Sequence, residues 1–129
     1  MSIEIDSCPF CNLSKHRIVL ERRLALSILD AYPINPGHTL IIPKRHITSF
    51  FELDKNELHD LKILLESAKH DLDRYHQPDG FNVGFNDGIA AGQTVMHLHI
   101  HLIPRFNGDV SDPRGGIRWV IPDRAKYWK

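Results

Sequence analysis

The stretch His97-Leu98-His99-Ile100-His101-Leu102-Ile103 decides how this chain is read. Side chains of a β-strand alternate faces, so extended backbone here would turn three imidazoles to one side and the aliphatic residues between them to the other. Same-face Cα atoms lie roughly 6.5–7 Å apart along a strand, close enough for the rings to converge on one phosphate-sized group. Leu98, Ile100 and Leu102 would anchor the strand in a hydrophobic core. The competing reading, a solvated strand whose outward residues happen to be histidine, needs three coincidences of an uncommon residue.

Upstream of this strand lies the loop Asn86-Asp87-Gly88-Ile89-Ala90-Ala91-Gly92-Gln93-Thr94, whose small residues let backbone amides approach an anion. Such loops also make ordinary strand connections, so its weight comes from its place beside the histidines. Before it, Phe81-Asn82-Val83-Gly84-Phe85 alternates as a strand and offers an antiparallel neighbour. Earlier still, Asp54 can cap a helix with Glu57 three residues on, followed by Leu58, Leu61, Leu65, Ala68, Leu72 and Tyr75 at steps of three and four. Two short strands, around Arg17 to Leu20 and Leu24 to Leu29, read as a hairpin, and the turn Asn35-Pro36-Gly37 delivers His38 to the apolar run Thr39-Leu40-Ile41-Ile42. The order of elements predicts an α+β fold: an antiparallel sheet covered by one long helix. Beyond Pro104 the chain is punctuated by Gly108, Pro113, Gly115, Gly116 and Pro122, and no regular element is expected there. Its Trp119, Tyr127 and Trp128 need a covering surface, for which a partner subunit is one candidate.

With 129 residues the chain fits one domain, residues 1–129, able to bury a real core. Sixteen basic residues balance sixteen acidic ones, so no global field draws the protein to nucleic acid or to a membrane, and any anion site must be local. No segment is long and apolar enough for a membrane span, and Met1-Ser2-Ile3-Glu4-Ile5-Asp6 lacks the regions of a signal peptide, so a cytoplasmic location is expected. Both cysteines sit in Cys8-Pro9-Phe10-Cys11, a spacing that suits metal binding or redox chemistry better than a structural disulfide. Two thiolates cannot close a tetrahedral zinc site, and nine histidines are available to complete it.

A neutral imidazole is a competent nucleophile at pH 7, and attack on phosphorus gives a covalent N–P intermediate that splits one hard displacement into two easier ones. The central ring, His99, is best placed: a backbone carbonyl can hold its Nδ1 so that Nε2 presents its lone pair. His101 can be the cation that assists the leaving atom, and His97 orients the strand or serves a metal. Gln93 and Thr94 offer neutral donors to phosphoryl oxygens. No cluster of Asp and Glu at the strand suits magnesium, and no organic cofactor is called for. Arg105, Arg114 and Arg118 read as surface charges, with contact to a polyphosphate as the alternative; His16, His59, His70 and His76 read as solvated.

Residues 97–103 match the signature His-apolar-His-apolar-His-apolar-apolar, and the chain thereby resembles the histidine triad superfamily of nucleotide hydrolases and transferases. The resemblance extends through Asn86-Asp87-Gly88, Ala91-Gly92-Gln93-Thr94, Pro36-Gly37-His38, Ile42-Pro43-Lys44-Arg45-His46 and Asp30, covering residues 8–106 and leaving 107–129 as a departing tail. It implies a five-stranded antiparallel sheet, a homodimer, and a nucleotidyl-histidine formed on His99 with His38, His97 and His101 around it. Asp30 is placed at the ribose hydroxyls, Asn86, Gln93 and Thr94 at the scissile phosphate, and apolar residues near Ile28 and Leu29 at a purine base. A subgroup with an N-terminal Cys-x-x-Cys implies structural zinc held by Cys8, Cys11, His46 and His97. Substrates implied are dinucleoside polyphosphates or nucleoside phosphoramidates. Two alternatives remain at this level: a zinc hydrolase using the three histidines as catalytic ligands, and a nucleotide-binding adaptor with vestigial turnover.

Overall fold

Five short strands assemble in the order β1-β2-β3-β5-β4 with every neighbouring pair antiparallel: β1 (Ile18–Glu21), β2 (Ala25–Leu29), β3 (Thr39–Pro43), β4 (Gly80–Gly84) and β5 (Ile100–Arg105). The structure is a computed structural model and describes residues 3–129; Met1 and Ser2, part of the stretch examined for a signal peptide, lie outside the described residues. The long helix α2 (Lys55–His76) packs on the sheet, and a short α1 (Ile3–Ser7) precedes it in the chain without a counterpart in the sequence expectation. The α+β architecture with a five-stranded antiparallel sheet and one long helix is therefore the observed one.

Helix α2 begins where its capping signal places it. The Asp54 carboxylate accepts the Glu57 N–H at 2.8 Å while the Glu57 carboxylate accepts the Asp54 N–H at 3.1 Å, so two otherwise orphaned donors are satisfied reciprocally. Its buried face differs from the expected stripe. Leu58 and Tyr75 are 46% and 72% exposed, whereas Leu61, Leu64, Ala68 and Leu72 meet Ala25, Ile41, Ile100 and Leu102 of the sheet. Two carboxylates also turn inward. Asp60 accepts from Arg22 Nε and from the Leu24 N–H, both at 2.9 Å, tying the β1–β2 turn to the helix, and Glu57 accepts from Arg45 Nη2 at 2.7 Å. These bonds set the roll of α2, and Leu58 is turned to solvent as a result.

Strand register assigns the faces. Ile41 pairs with Ile100, placing Ile100 under α2, while Leu40 pairs with His101, placing that histidine on the opposite face with Leu26, Ile28, Leu40 and Ile42. Phe10, Leu13 and Ile18 cover this second face. The strand itself is shorter at its start than the pattern suggested, because β5 begins at Ile100 and His97 and His99 precede it. The Leu98 N–H is taken by the Ile47 carbonyl at 2.7 Å, outside the sheet ladder, so the approach to β5 is held by the loop after β3.

Gly37 explains how His38 reaches the start of β3. Its φ is +88°, and a Cβ there would lie 2.7 Å from Leu72 Cδ2 of α2, so backbone conformation and space both demand glycine. Past Phe106 the chain forms two 3-10 turns, Gly116–Val120 and Pro122–Arg124, where no regular element was expected. The tail aromatics find part of their cover within the tail: the Arg114 guanidinium lies 4.6 Å from the Trp128 ring and that of Arg118 4.8 Å from the Tyr127 ring. Among the described residues, no helix is long and apolar enough to cross a membrane.

Candidate functional site

At the end of β3 four donors from three separated segments converge. Cys8, Cys11, His46 and His97 place their sulfur and Nδ1 atoms all within 4.8 Å of one another, with Cys11 Sγ 3.2 Å from His46 Nδ1 and Cys8 Sγ 3.4 Å from His97 Nδ1. His97 is fully buried and its Nε2 lies 2.8 Å from the Pro43 carbonyl. A carbonyl only accepts, so Nε2 carries the proton and the Nδ1 lone pair faces the cluster. That lone pair points at His46 Nδ1, 3.2 Å away, and burial together with the Cys8 thiol pushes Cys11 up to about 11. Two thiols and two imidazole lone pairs at these separations fit a tetrahedral zinc ion with no open position. With both nitrogens of His97 engaged, the triad cannot also serve as a three-histidine catalytic metal site.

His99 stands beside this corner. Its Nδ1 lies 2.8 Å from the His97 carbonyl, which requires Nδ1 to be the donor and leaves Nε2 with its lone pair. The ring contacts His101 edge-on at 5.2 Å between centroids and Phe10 at 5.1 Å. The tautomer expected of a nucleophile is thus the one that the backbone selects.

His101 connects to His38 and Asp30. The Ile34 N–H donates to His38 Nδ1 at 3.1 Å, so His38 Nε2 carries the proton and donates to His101 Nδ1 at 2.9 Å, leaving His101 Nε2–H directed onward. Asp30 Oδ2 lies 3.4 Å from His38 Nε2, and its Oδ1 accepts the Tyr32 N–H at 2.9 Å. Burial, then the neighbouring His99 and His38, push His101 down to about 4, and burial pushes His38 down against the pull of Asp30. His101 is therefore held as the neutral imidazole, and acting as the cation at a leaving atom requires it to take up a proton first.

The other expected positions divide. Asn86 lines a cavity of about 700 Å³ together with His101, and Thr94 is exposed at the end of the loop. Gln93 turns inward and is 4% exposed: its Oε1 accepts the Gly88 N–H at 2.9 Å and its Nε2 donates to the Thr48 and Val95 carbonyls at 3.0 and 3.1 Å. It shapes the loop, and its amide is already spent. Ile28 is fully buried in the sheet and cannot line an open base pocket, whereas Leu29 is 53% exposed.

The far wall of the cavity comes from the tail, through Val110, Pro113, Ile117 and Trp119. Arg105, which also borders it, is consumed by Asp109 through two bonds of 2.8 Å and by Asn82 Oδ1 at 2.6 Å. Arg114 binds Asp112, and Arg118 donates to the Ala125 and Arg124 carbonyls, so all three arginines have local partners. The sequence reading missed this wall because the tail carries no periodicity. It missed Phe10 because the cysteines on either side absorbed the interpretation of that motif.

Comparison with known proteins places the fold among relatives. The family model for the HIT domain matches residues 13–108. An uncharacterized HIT-like protein of Mycoplasma genitalium is 36% identical over 105 residues, 78% of this chain and 74% of that protein. An AP-4-A phosphorylase of Mycobacterium tuberculosis is 35% identical over 95 residues, which are 73% of this chain and 49% of that enzyme, so the match spans about half of that relative. The crystal structure of a Zn-bound histidine triad family protein from Mycobacterium smegmatis superposes with a TM-score of 0.72 at 34% identity, covering 84% of this chain and 81% of that one. With the family model matching most of its length, the chain belongs to the HIT domain family, which includes enzymes acting on nucleotides.

Proposed function

We propose that the chain is a nucleotidyl hydrolase or transferase that cleaves the α-phosphate linkage of a purine nucleotide derivative, a dinucleoside polyphosphate or a nucleoside phosphoramidate, through a nucleotidyl-histidine on His99. The observation that carries this reading is the 2.8 Å bond from His99 Nδ1 to the His97 carbonyl, which leaves the Nε2 lone pair available for attack. The family supports it too, since a relative is an AP-4-A phosphorylase.

In the first step His99 Nε2 bonds to phosphorus, the bond from phosphorus to the departing oxygen or nitrogen breaks, and its electron pair leaves with that atom. An anionic phosphoryl group against His101 favours the charged imidazolium, so on binding substrate the ring takes up a proton at Nδ1, giving up the hydrogen bond it accepts there from His38, and passes its Nε2 proton to the departing atom. Before that uptake, His38, donating to neutral His101 Nδ1, sets the ring's orientation. In the second step a water oxygen, or another acceptor, bonds to phosphorus, the N–P bond breaks with its pair returning to His99, and neutral His101 accepts the proton. Asn86 and Thr94 bind phosphoryl oxygens, and Asp30 the ribose hydroxyls. Cys8, Cys11, His46 and His97 would hold zinc, which would supply structural cohesion. The protein works as a cytoplasmic homodimer of this single domain, without nucleic acid, membrane or organic cofactor.

Intact mass spectrometry without acid quench, after mixing with a labelled adenosine phosphoramidate, tests the reading. An acid-labile nucleotidyl adduct mapped to His99 is expected. Label on another residue, or turnover with no adduct, overturns it.

A further inference from the structure

We infer that Phe10 is a positioning residue for His99: the loop that carries two donors of the metal site also braces the nucleophilic ring through this side chain. The inference rests on the role of His99 proposed above. The hydrogen bond from Nδ1 to the His97 carbonyl fixes one atom of the imidazole and selects its tautomer, yet a single pivot leaves the ring free to swing about it. Two aromatic neighbours limit that swing. His101 meets the ring at 5.2 Å with an interplanar angle of 65°, and Phe10 meets it at 5.1 Å and 61°. Both are edge contacts of the kind that aromatic quadrupoles favour.

Phe10 can act as a brace because it is itself held. It lies between Cys8 and Cys11, whose sulfurs join the cluster with His46 and His97, and its ring also meets His97 edge-on at 5.9 Å and 88°. The Asn12 side-chain amide ties down the same loop by donating to the Cys8 carbonyl at 2.8 Å and to the Ile5 carbonyl at 2.9 Å. On its inner side Phe10 packs on the cluster of Leu26, Ile28, Leu40 and Ile42, and Leu40 is the register partner of His101. The brace is thus packed on the sheet face that carries His101, the neighbour of the nucleophile. His97 completes the link from within the triad, since its side chain joins the cluster and its carbonyl holds His99. Because small displacements of a reacting group cost large factors in rate, an unbraced ring reacts more slowly even with its lone pair intact.

The test compares purified full-length protein with Phe10→Ala and Phe10→Tyr. For Phe10→Ala the expected result is a fall in kcat and in the rate of adduct formation of about tenfold, with KM changed less than twofold and zinc content unchanged. Phe10→Tyr, which keeps the ring, restores most of the rate. Nitrogen-15 NMR of the free protein, which needs no turnover, should show the His99 Nδ1–H tautomer in wild type and exchange-broadened His99 signals in Phe10→Ala. Unchanged kcat and sharp His99 signals in Phe10→Ala overturn the inference. A rise in KM alone overturns it in favour of a substrate contact, and loss of zinc overturns it in favour of a purely structural role. Failure of wild type to form the His99 adduct overturns the proposed function, while sharp His99 signals in Phe10→Ala remove only the brace.

Discussion

The backbone carbonyl of His97 accepts the Nδ1 proton of His99 at 2.8 Å, while the His97 ring is committed to a cluster with two cysteines and a second histidine. One residue thereby joins two chemistries. Its side chain holds the structural corner, and its main chain chooses the tautomer of its neighbour. This division explains why alternate residues of one segment need not share a task, although all three are histidine.

Replacing His99 removes the group proposed to bond phosphorus, along with one bond to the His97 carbonyl, and leaves Cys8, Cys11, His46 and His97 in place. His99→Ala is expected to lower kcat by about a thousandfold or more, while zinc content and the urea midpoint stay near wild type. Steady-state kinetics with an adenosine phosphoramidate, metal analysis and urea unfolding check the three parts separately. Residual activity within tenfold of wild type would mean that another group carries the nucleotide.

The metal corner makes the opposite pattern. Purified protein should hold about one zinc per chain, Cys11→Ser should lose it, and His99→Ala should keep it. Because Cys8 and Cys11 lie far in sequence from His46 and His97, metal loss releases the N-terminal segment from β3, and Tm is expected to fall by on the order of 10 °C. Calorimetry with and without chelator measures this. Zinc retained in Cys11→Ser but lost in His99→Ala would point to a catalytic metal instead.

Much of this arrangement was legible in the residues because its causes are local. Asp54 and Glu57 announce the start of α2 within four residues, and the alternation ending in Ile100-His101-Leu102 announces β5, although the strand starts only at Ile100. Other features depend on distant partners. Glu57 and Asp60 turn inward only because Arg45, Arg22 and the Leu24 N–H wait there, and no periodicity within the helix encodes that. Gln93 looked like a free donor because the carbonyls that consume it belong to Thr48 and to the bend at Val95. The four residues of the Cys–His cluster needed the family resemblance to be joined, since spacing ties only Cys8 to Cys11.

The histidines on the sheet make stability depend on pH in a definite direction. His101 is pushed from its ordinary 6.5 to about 4, first by burial and then by His99 and His38, so between these values the unfolded chain binds a proton that the native chain refuses. The contribution is complete above about pH 6.5 and is lost as the pH falls toward 4. The urea midpoint should be flat from pH 7 to 8 and decline below 6.5, and His101→Gln should decline less steeply in the same buffers. An identical slope in the two proteins would assign the acid sensitivity elsewhere.

Gly37 sets the position of His38 through backbone and space together. Gly37→Ala places a Cβ at a φ of +88° and 2.7 Å from Leu72 Cδ2. The expected cost is about 2 kcal/mol, read from urea unfolding. Stability equal to wild type would show that α2 yields freely at this turn.

Gln93 offers a way to separate a residue that shapes the loop from one that touches substrate. Its carbonyl oxygen serves the Gly88 N–H, and its amide nitrogen serves two carbonyls, so every direction of the side chain is occupied inside the protein. Gln93→Ala strands these groups in a buried site and should cost about 2 kcal/mol, while loosening the loop that presents Asn86. Gln93→Glu is the sharper change. It keeps an acceptor for Gly88 but sets a carboxylate oxygen against the Thr48 and Val95 carbonyls, which repel it. The expected order of stability is wild type, then Ala, then Glu, with catalytic efficiency falling in the same order. A residue whose task was to donate to a phosphoryl oxygen would behave differently: both variants would lose activity at unchanged stability. Urea unfolding and kinetics on the same preparations distinguish the two, and a Glu variant as stable as wild type would return Gln93 to the substrate.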